Sequence, residues 1–199
     1  MPIPAFDHNL VLPPHAGNPS VPTDLSPYAC TTVELCNQLG STPERRTILK
    51  GFLSFRDRLR GHGLTNGYQW IDGSFIEDVE KRENRAPGDI DVVTVYWGYD
   101  MAFQEALFAA LPEFADPPLA KLNFHVDHYL FDAGFRPDVT VEWTRYWMQF
   151  FCHNRQSVWK GILRVSLNTP DHDGLALQEL NAAEAVESKA NQTPKGVAP

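Results

Sequence analysis

Hydrophobic residues follow a helical period in several stretches of the chain. Between residues 43 and 61 the large apolar side chains recur three or four positions apart, at Ile48, Leu49, Phe52, Phe55 and Leu59. Thr42 can cap this stretch and Pro43 suits its first turn, so the pattern predicts a helix with one buried face. Comparable spacing predicts further helices over residues 101–111, 140–154 and 175–186.

Strand patterns occupy the stretches between these helices. Residues 68–72 form a short segment that is rich in aromatic side chains. Residues 89–97 form a segment rich in β-branched side chains that is apolar on both faces after its first acids. The second of these strands should therefore be covered on both sides. Residues 123–131 alternate, with Asp127 on the polar face, and residues 162–167 are predicted to form a last strand. The order of elements predicts an α/β (α+β) domain with a mixed sheet flanked by helices.

The two ends of the chain lack these patterns. Prolines crowd the first 27 residues, where they prevent a regular helix and remove backbone donors that a strand needs. We therefore predict a proline-rich arm over residues 1–40 that packs on the domain. Residues 41–187 form the predicted domain, and the small, polar residues 188–199 are predicted to be a loose tail.

Composition narrows the classes of protein to which the chain can belong. With 199 residues, 43% hydrophobic and 21% charged, it can form one globular domain with a sizeable core. It has no stretch of about eighteen apolar residues and no basic, apolar leader, so we expect neither a membrane span nor export. The cysteines form no C-x-x-C pair, which favours a reducing, cytoplasmic setting. A net charge of -8 disfavours extended binding to nucleic acid.

Two acids at the start of a predicted strand carry the first chemical signal. Asp89 and Asp91 are two residues apart, so their side chains share one face of the strand, with Cα atoms roughly 6.5 Å apart. Their carboxylates repel each other unless solvent, hydrogen bonds or a cation compensate the charge. Mg²⁺ and Mn²⁺ prefer oxygen ligands and can relieve this repulsion. The pair therefore predicts a site for a divalent cation.

Asp127 is the strongest candidate for a third acid. Beside Asp89 and Asp91 it would complete a cluster that can hold two ions about 3.5–4 Å apart. Asp132 and Asp138 compete for this position, but Asp132 has the strand parity of apolar residues and Asp138 follows a proline in a predicted loop. Such a cluster suits nucleotidyl transfer, in which one ion activates an acceptor hydroxyl and the other holds a nucleoside triphosphate.

A glycine and a serine before these acids could hold the phosphates. Gly73 lets the backbone approach a phosphate closely, Ser74 adds a hydroxyl, and a helix that starts there would aim free N–H groups at the phosphate. Basic residues between the serine and the acids would add local positive charge: Lys81, Arg82 and Arg85. Lys160 could reach a phosphate as well, or could equally be a turn lysine that enters the last strand.

These residues resemble the polymerase-beta-type nucleotidyltransferase superfamily. The likeness lies in Gly73-Ser74 after an apolar strand, in Asp89-Ile90-Asp91 and in the later acid Asp127, and it covers most of residues 40–167. The 14-residue interval between the serine and the first acid is longer than the spacing common in that superfamily. This departure leaves the roles of the intervening basic residues open.

The whole layout looks like a small, uncharacterised bacterial branch of that superfamily. Leu12-Pro13-Pro14 near the start and Trp159-Lys160-Gly161-Ile162 after the aromatic helix contribute to this likeness. The resemblance implies a mixed sheet flanked by helices. It also implies a role for each motif residue, with phosphates at Gly73 and Ser74, metal ligands at Asp89 and Asp91, and the third acid at Asp127.

We therefore expect a nucleotidyltransferase that uses Mg²⁺ or Mn²⁺ to move a nucleoside monophosphate from a nucleoside triphosphate to an acceptor hydroxyl. Members of the resembled superfamily modify small molecules, RNA ends or proteins, and some act as toxins in toxin-antitoxin or defence systems, so the acceptor stays open. One alternative is a non-catalytic regulatory module that binds a nucleotide or a partner. The other is a two-metal phosphohydrolase that uses water as the acceptor.

Histidines and aromatic residues near these motifs allow a structural and a functional interpretation. His125 shares the predicted strand face of Asp127 and could contact substrate, whereas His128 points to the opposite face and is predicted to be structural. The rings between residues 143 and 151 are predicted to lie mainly in the core. Trp143 or Tyr146 is the alternative candidate for stacking against a base.

Overall fold

A five-stranded mixed sheet organises the protein, as seen in a computed structural model that describes residues 3–192. Its strands are β1 (Tyr28–Ala29), β2 (Gly67–Asp72), β3 (Ile90–Tyr96), β4 (Val126–Asp132) and β5 (Leu163–Ser166). Their order across the sheet is β1-β5-β2-β3-β4. β2 runs antiparallel to β5 and β3, whereas β4 runs parallel to β3 and β1 runs parallel to β5. The predicted mixed sheet flanked by helices is confirmed.

The central strands form where the sequence is richest in β-branched residues. In β3 the side chains of Val92, Val93 and Val95 are all buried, so both faces of the strand are covered. The strand lies between β2 and β4. Its predicted position in the interior of the sheet is therefore confirmed.

Helices of the described chain cover the two faces of the sheet. They are α1 (Thr32–Leu39), α2 (Pro43–Gly61), α3 (Val79–Glu83), α4 (Met101–Ala110), α5 (Pro117–Phe124), α6 (Pro137–Phe151) and α7 (Pro170–Gln192). α2 packs against α1, α5 and α7 on one face, and its Phe55 ring contacts His128 of β4, with centroids 4.7 Å apart. α6 lies over the other face, where Trp147 contacts Tyr129 of β4 at 5.1 Å. Within residues 3–192 no helix has both the length and the apolar character required to cross a membrane.

The start of α2 follows its local sequence signals. The Thr42 side chain accepts a hydrogen bond from the backbone N–H of Arg45, and Pro43 occupies the first turn, where its missing N–H costs nothing. Ile48, Phe52 and Phe55 are buried along one face. The helix predicted from residue 43 to residue 61 is confirmed at both ends.

The structure differs from the predicted strand at residues 123–131. Residues 117–124 form α5, because Asp116 accepts a hydrogen bond from the Leu119 backbone and Pro117 opens the first turn. His125 then ends the helix in the left-handed conformation, with φ 57°, and β4 begins at Val126. The start predicted at residue 123 is therefore wrong, and the predicted alternation holds over residues 126–129 but not beyond, because Leu130 is exposed and Phe131 is buried.

Both ends of the chain contain more regular structure than their composition suggests. Within the predicted arm, residues 28–29 form β1 and residues 32–39 form α1. At the other end α7 begins at Pro170 and continues through Gln192, so residues 188–192 of the predicted tail are helical. Residues 193–199 lie outside the described part of the chain.

Candidate functional site

Three aspartates lie side by side on neighbouring strands. Asp72 at the end of β2 is opposite Asp91 of β3, and Asp91 is opposite Asp127 of β4. Residues in direct register point to the same face of a sheet, with Cα atoms about 4.5–5.5 Å apart. We call Asp72, Asp91 and Asp127 the acidic row. Asp89 precedes β3 by one residue, and its charge also acts on Asp91.

Crowded negative charge dominates the acidic row. Burial raises the pKa of Asp91 to about 7, and the neighbouring charges of Asp72, Asp89 and Asp127 add to the rise. Burial likewise raises the pKa of Asp72 to about 6, against the lowering effect of Lys160. An ionised carboxylate in this row therefore lacks compensation, which is the condition that favours binding of a cation.

Two lysines compensate part of this charge. The ammonium of Lys160 lies 2.9 Å from an oxygen of Asp72 and donates to Glu77 at 2.7 Å. Lys121, half-exposed on α5, forms an ion pair with Asp89. Asp91 and Asp127 form no ion pair with any side chain in residues 3–192. The uncompensated charge is thus concentrated on the two neighbouring aspartates of β3 and β4.

The carboxylates do not yet converge into a closed metal site. Nowhere in the described chain do three or more His, Cys, Asp or Glu side chains lie close enough together to hold a metal ion. Two acids of this region are engaged in ion pairs, Asp89 with Lys121 and Asp72 with Lys160. Of the three predicted acids, the structure brings Asp91 and Asp127 together as register neighbours, whereas Asp89 pairs with Lys121.

Gly73 forms a bend that only glycine can adopt. Its φ of 81° lies in the left-handed region, and a Cβ atom there would stand 1.6 Å from the carboxylate oxygen Oδ2 of Asp91. Ser74 follows in a single 3-10 turn that ends at Ile76, so no full helix begins at this bend. The sequence predicts that Gly73-Ser74 lies beside the acids, and in the structure Gly73 lies beside Asp91. The helix start predicted at this point is wrong, since only a 3-10 turn follows.

Lys160 is a buried structural cation of the site. Only 1% of its surface is exposed, and its ammonium also donates to the carbonyl oxygen of Gly73 at 3.2 Å. The ammonium therefore donates to Glu77 and Gly73 and forms an ion pair with Asp72. Of its two sequence interpretations, direct phosphate contact does not match this geometry. Lys160 instead fixes the bend against the end of β2.

The basic residues that follow Ser74 are paired with acids of their own segment. Arg82 donates to Glu77 and Glu83, and Arg85 donates to Glu83. Lys81 lies exposed in α3, where its backbone N–H caps onto Asp78. Arg85 also lines a shallow depression whose other residues are Thr42, Glu44, Glu80, Asn84 and Ala86. Of the predicted positive group, Arg82 and Arg85 are therefore neutralised by local glutamates, whereas Lys81 stays exposed.

The N-terminal arm joins the two segments that meet at Lys160. The carbonyl of Leu10 accepts from the Asp78 N–H at 2.9 Å, and that of Leu12 accepts from the Gly161 N–H at 2.8 Å. A Cβ at Gly161 would lie 2.4 Å from the carbonyl oxygen of Pro13, so glycine permits this approach. The arm thus ties the segment after Ser74 to the segment that carries Lys160.

Sequence analysis missed several residues of the site. Asp72 is adjacent to Gly73 in the sequence, but only the pairing of β2 with β3 shows that it faces Asp91. Glu77 joins the site through its ion pair with Lys160, and Lys121 joins it through its ion pair with Asp89. Tyr129 has the strand parity of Asp127, and burial together with that carboxylate raises its pKa to about 12. Strand parity was the one signal that could have identified this tyrosine.

The two histidines and the aromatic helix have separate outcomes. His128 is buried on the face opposite the acids, where it bonds Thr94 and the carbonyl of Phe114, so its structural role is confirmed. His125 ends α5 and is not part of β4, so the predicted shared strand face with Asp127 is wrong. In α6 the side chains of Trp143 and Tyr146 are 46% and 44% exposed, so the expectation that these rings lie mainly in the core is wrong for them.

Comparison with known proteins gives one match. A protein-family model described as a family of unknown function (DUF6932) matches residues 4–166, which include the acidic row, the Gly73 bend and Lys160. No curated protein and no solved structure matches the chain. The matched range also includes the N-terminal segment that packs against the site.

Proposed function

The chain belongs to this family of unknown function, and we propose from its site that it is a metal-dependent nucleotidyltransferase. Its substrates are a nucleoside triphosphate and an acceptor that bears a hydroxyl group. The acceptor oxygen attacks the α-phosphorus, the bond from that phosphorus to the bridging oxygen breaks, and pyrophosphate leaves with the bonding electron pair. The hydroxyl proton passes to a carboxylate of the site.

The observation that carries this proposal is the pair formed by Asp91 and Asp127. They are register neighbours on β3 and β4, they have no ion-pair partner in the described chain, and Asp91 touches the backbone of the Gly73 bend. Uncompensated carboxylates beside a bend without a side chain can share one divalent cation with a phosphate. Neither a buried structural ion pair nor a solvated surface acid needs such a bend.

The donor set fits Mg²⁺ or Mn²⁺, and Asp89, Asp91 and Asp127 would hold the ion. All their donors are carboxylate oxygens, and Mg²⁺ commonly binds one or two carboxylates together with substrate phosphates and water rather than a closed protein cage. Asp89 can join once its ion pair with Lys121 opens, which costs little because that lysine is 54% exposed. When bound, the ion supplies Lewis-acid activation of phosphoryl oxygens.

The residues of the chain have separate tasks in this proposal. Gly73 and Ser74 contact the phosphates, and Lys160 holds that bend in place through the Gly73 carbonyl. Asp127 accepts the proton of the acceptor hydroxyl. Lys121, released from Asp89, can pair with phosphate oxygens of the leaving group. Catalysis thus depends on positioning and charge, as phosphoryl transfer generally does.

Incorporation of label tests the proposal directly. The protein is incubated with each α-labelled nucleoside triphosphate, Mg²⁺ or Mn²⁺ and a cell extract, and labelled products are separated by size. Wild-type protein should label an acceptor, and Asp91→Asn should reduce labelling by at least about 100-fold, because loss of a metal-binding carboxylate removes several kcal/mol of transition-state stabilisation. Asp127→Asn should have an effect of the same order.

Asp138→Asn is the matched control, since Asp138 is an exposed aspartate that pairs only with Arg136 near the start of α6. It should label as the wild type does. Full labelling by the Asp91→Asn/Asp127→Asn double variant would refute the site. Pyrophosphate or phosphate release that needs no acceptor, and that Asp91→Asn abolishes, would identify a phosphohydrolase instead.

A further inference from the structure

A stripe of aromatic rings lies exposed along α6. Trp143, Tyr146 and Phe150 are spaced three and four residues apart, so they share one side of the helix. Their side chains are 46%, 44% and 58% exposed, whereas Trp147 and Phe151 beside them are buried. We call Trp143, Tyr146 and Phe150 the aromatic stripe. The buried rings already anchor the helix to the sheet, so the exposed rings are not needed for that contact.

The aromatic stripe is connected to the acidic row through ring contacts. Tyr129 of β4 contacts the buried Trp147 with centroids 5.1 Å apart, and Trp147 meets Tyr146 edge to face at 5.0 Å. Tyr129 lies two residues beyond Asp127 on the same strand face, roughly 6.6 Å along the strand. The exposed side of α6 is therefore linked to the strand of Asp127 by a chain of ring contacts that passes through the buried Trp147.

The end of α6 approaches the acids from the same side. The carbonyl of Cys152, the residue that follows the helix, accepts from the Lys160 N–H at 2.8 Å. The charges of Asp72 and Lys160 act on the Cys152 thiol, whose pKa burial raises. The end of the helix therefore lies next to Lys160, whose ammonium holds the Gly73 bend, and Phe150 of the stripe is two residues before Cys152.

The geometry of the stripe suits a flat, uncharged ring. Tyr146 and Phe150 are nearly parallel, with an interplanar angle of 7° and centroids 5.9 Å apart, so they present ring faces of similar orientation. The charged neighbours on α6 are engaged with each other, because Arg145 pairs with Glu142. Stacking on such a surface depends on the ring face of a base and not on its hydrogen-bonding edge.

We propose that the aromatic stripe stacks against the base of a nucleotide whose phosphates bind beside the Gly73 bend. The inference rests on the proposed function and adds to it a base-binding surface and a substrate preference. Since stacking is tolerant of base identity, all four nucleoside triphosphates should bind with similar affinity. The affinity of each should exceed that of tripolyphosphate, which carries the charge of the nucleotide without its base.

Calorimetric titration separates the contribution of the base from that of the phosphates. The full-length protein with Mg²⁺ is titrated with the α,β-methylene analogue of ATP, which resists transfer, and in parallel with tripolyphosphate. Tyr146→Leu should weaken binding of the analogue roughly tenfold and leave tripolyphosphate unchanged, because the leucine removes only a ring face. Tyr146→Phe should bind the analogue as tightly as the wild type.

Phe135→Leu is the matched control, because Phe135 is 66% exposed in the turn that precedes α6, at the end of β4 away from Asp127. It should bind both ligands normally. Thermal unfolding of each variant checks that the fold is retained, and Phe150→Leu gives a second test of the stripe if Tyr146→Leu unfolds. A comparable loss is expected for Phe150→Leu.

Two patterns of binding would overturn the inference. If wild-type protein binds the analogue and tripolyphosphate equally well, or if Tyr146→Leu weakens both alike, the stripe does not hold the base, while the phosphate site stands. If neither ligand binds in the presence of Mg²⁺, the proposed function fails first. The two proposals can therefore be rejected separately.

Discussion

The two faces of strands β2, β3 and β4 each carry a set of polar side chains, and these sets differ in how they are compensated. On one face Gln69, Thr94 and His128 are fully buried beneath α2. On the other face lies the acidic row, which opens partly to solvent and to the Gly73 bend. The same three strands thus carry two sets of polar side chains with different electrostatic surroundings.

Every polar group along the chain of bonds on the buried face has a defined partner. Arg56 donates to the Gln69 oxygen at 2.7 Å, and the Gln69 amide donates to the Thr94 hydroxyl at 3.1 Å. The hydroxyl then donates to Nε2 of His128 at 2.8 Å, and Nδ1 of this histidine donates to the Phe114 carbonyl at 3.0 Å. Arg56 can only donate, which fixes the direction of the Gln69 bonds, and the Phe114 carbonyl can only accept, so the neutral His128 carries its proton on Nδ1 and accepts at Nε2.

The acidic row has no such closure. An ionised aspartate can accept hydrogen bonds but cannot donate them. The nearby lysines form ion pairs with Asp72 and Asp89, and not with Asp91 or Asp127. A satisfied network contributes to a unique fold, whereas repulsion between neighbouring carboxylates lowers stability unless a ligand relieves it. The first face thus contributes to the fold, and the unrelieved repulsion on the second face supports the proposed binding of a cation there.

Breaking the buried network should have the largest effect on stability. Arg56→Met removes the donors to Gln69 and leaves the buried Asp173 with less compensation, which should cost about 3–5 kcal/mol in the free energy of unfolding. Urea unfolding at pH 7 measures it. Arg58→Met, an exposed position of the same helix, should change stability by less than about 0.5 kcal/mol. Equal effects of the two substitutions would contradict a special role for the buried network.

Neutralising the acidic row should stabilise the protein. The pKa of Asp91 is about 7 in the folded state against 3.8 for the free side chain, so the folded state binds more protons between these values and stability falls as pH rises through them. Asp91→Asn removes this loss and should raise the free energy of unfolding at pH 8 on the order of 2–4 kcal/mol relative to wild type in EDTA. At pH 4 the gain should nearly vanish.

The same substitution separates a binding site from a structural cluster. Mg²⁺ should raise the melting temperature of wild-type protein and should have little effect on Asp91→Asn, because binding to the folded state alone stabilises it. Asp138→Asn should gain no stability at pH 8 and should keep the Mg²⁺ response. Equal stability of wild type and Asp91→Asn across pH 4–8 would contradict the repulsion inferred for the row.

His128 should produce the smallest change and the opposite pH dependence. Burial lowers its pKa to about 3 against 6.5 for the free side chain, so the unfolded state binds the extra proton and stability falls as pH drops from 6.5 towards 3. His128→Leu should cost about 1–3 kcal/mol at pH 7, because Thr94 and Phe114 lose a partner. This deficit should shrink at pH 4 in urea unfolding curves.

The exposed His153 provides the control for that measurement. His153→Leu should change stability by less than about 0.5 kcal/mol at pH 7 and should leave the acid limb of the stability curve as in wild type. A His128→Leu deficit that stays constant from pH 7 to pH 4 would show that this histidine is not held neutral by the fold.

Much of the fold could be predicted because its signals are local. The cap at Thr42 and the β-branched run of β3 each act over a few residues, and the structure confirms both. The prediction failed at α5, where a cap and a proline at residues 116–117 outweighed a pattern that resembled a strand. It also failed for β1, whose two residues pair with β5 far along the chain.

The candidate site could be predicted only in part. Asp89, Asp91 and Gly73 were found because parity and spacing describe neighbours within one segment. The ion pairs around them could not be found in this way. Lys160 pairs with Asp72 from 88 positions away in the chain, and Lys121 pairs with Asp89 from α5. The basic residues after Ser74 were misjudged, since a count of charges does not show that each guanidinium already has an acid partner.

The sequence by itself determined which carboxylates could share a face, because the twofold period of a strand is a property of the backbone. It also determined that the backbone at residue 73 can adopt a positive φ, because glycine accepts that conformation without strain. The tertiary structure decided which strands are neighbours, and hence that Asp72 and Asp127 flank Asp91. It also decided which lysines form ion pairs with the acids. Charges far apart in the chain interact strongly only when folding brings them within a few ångströms of each other.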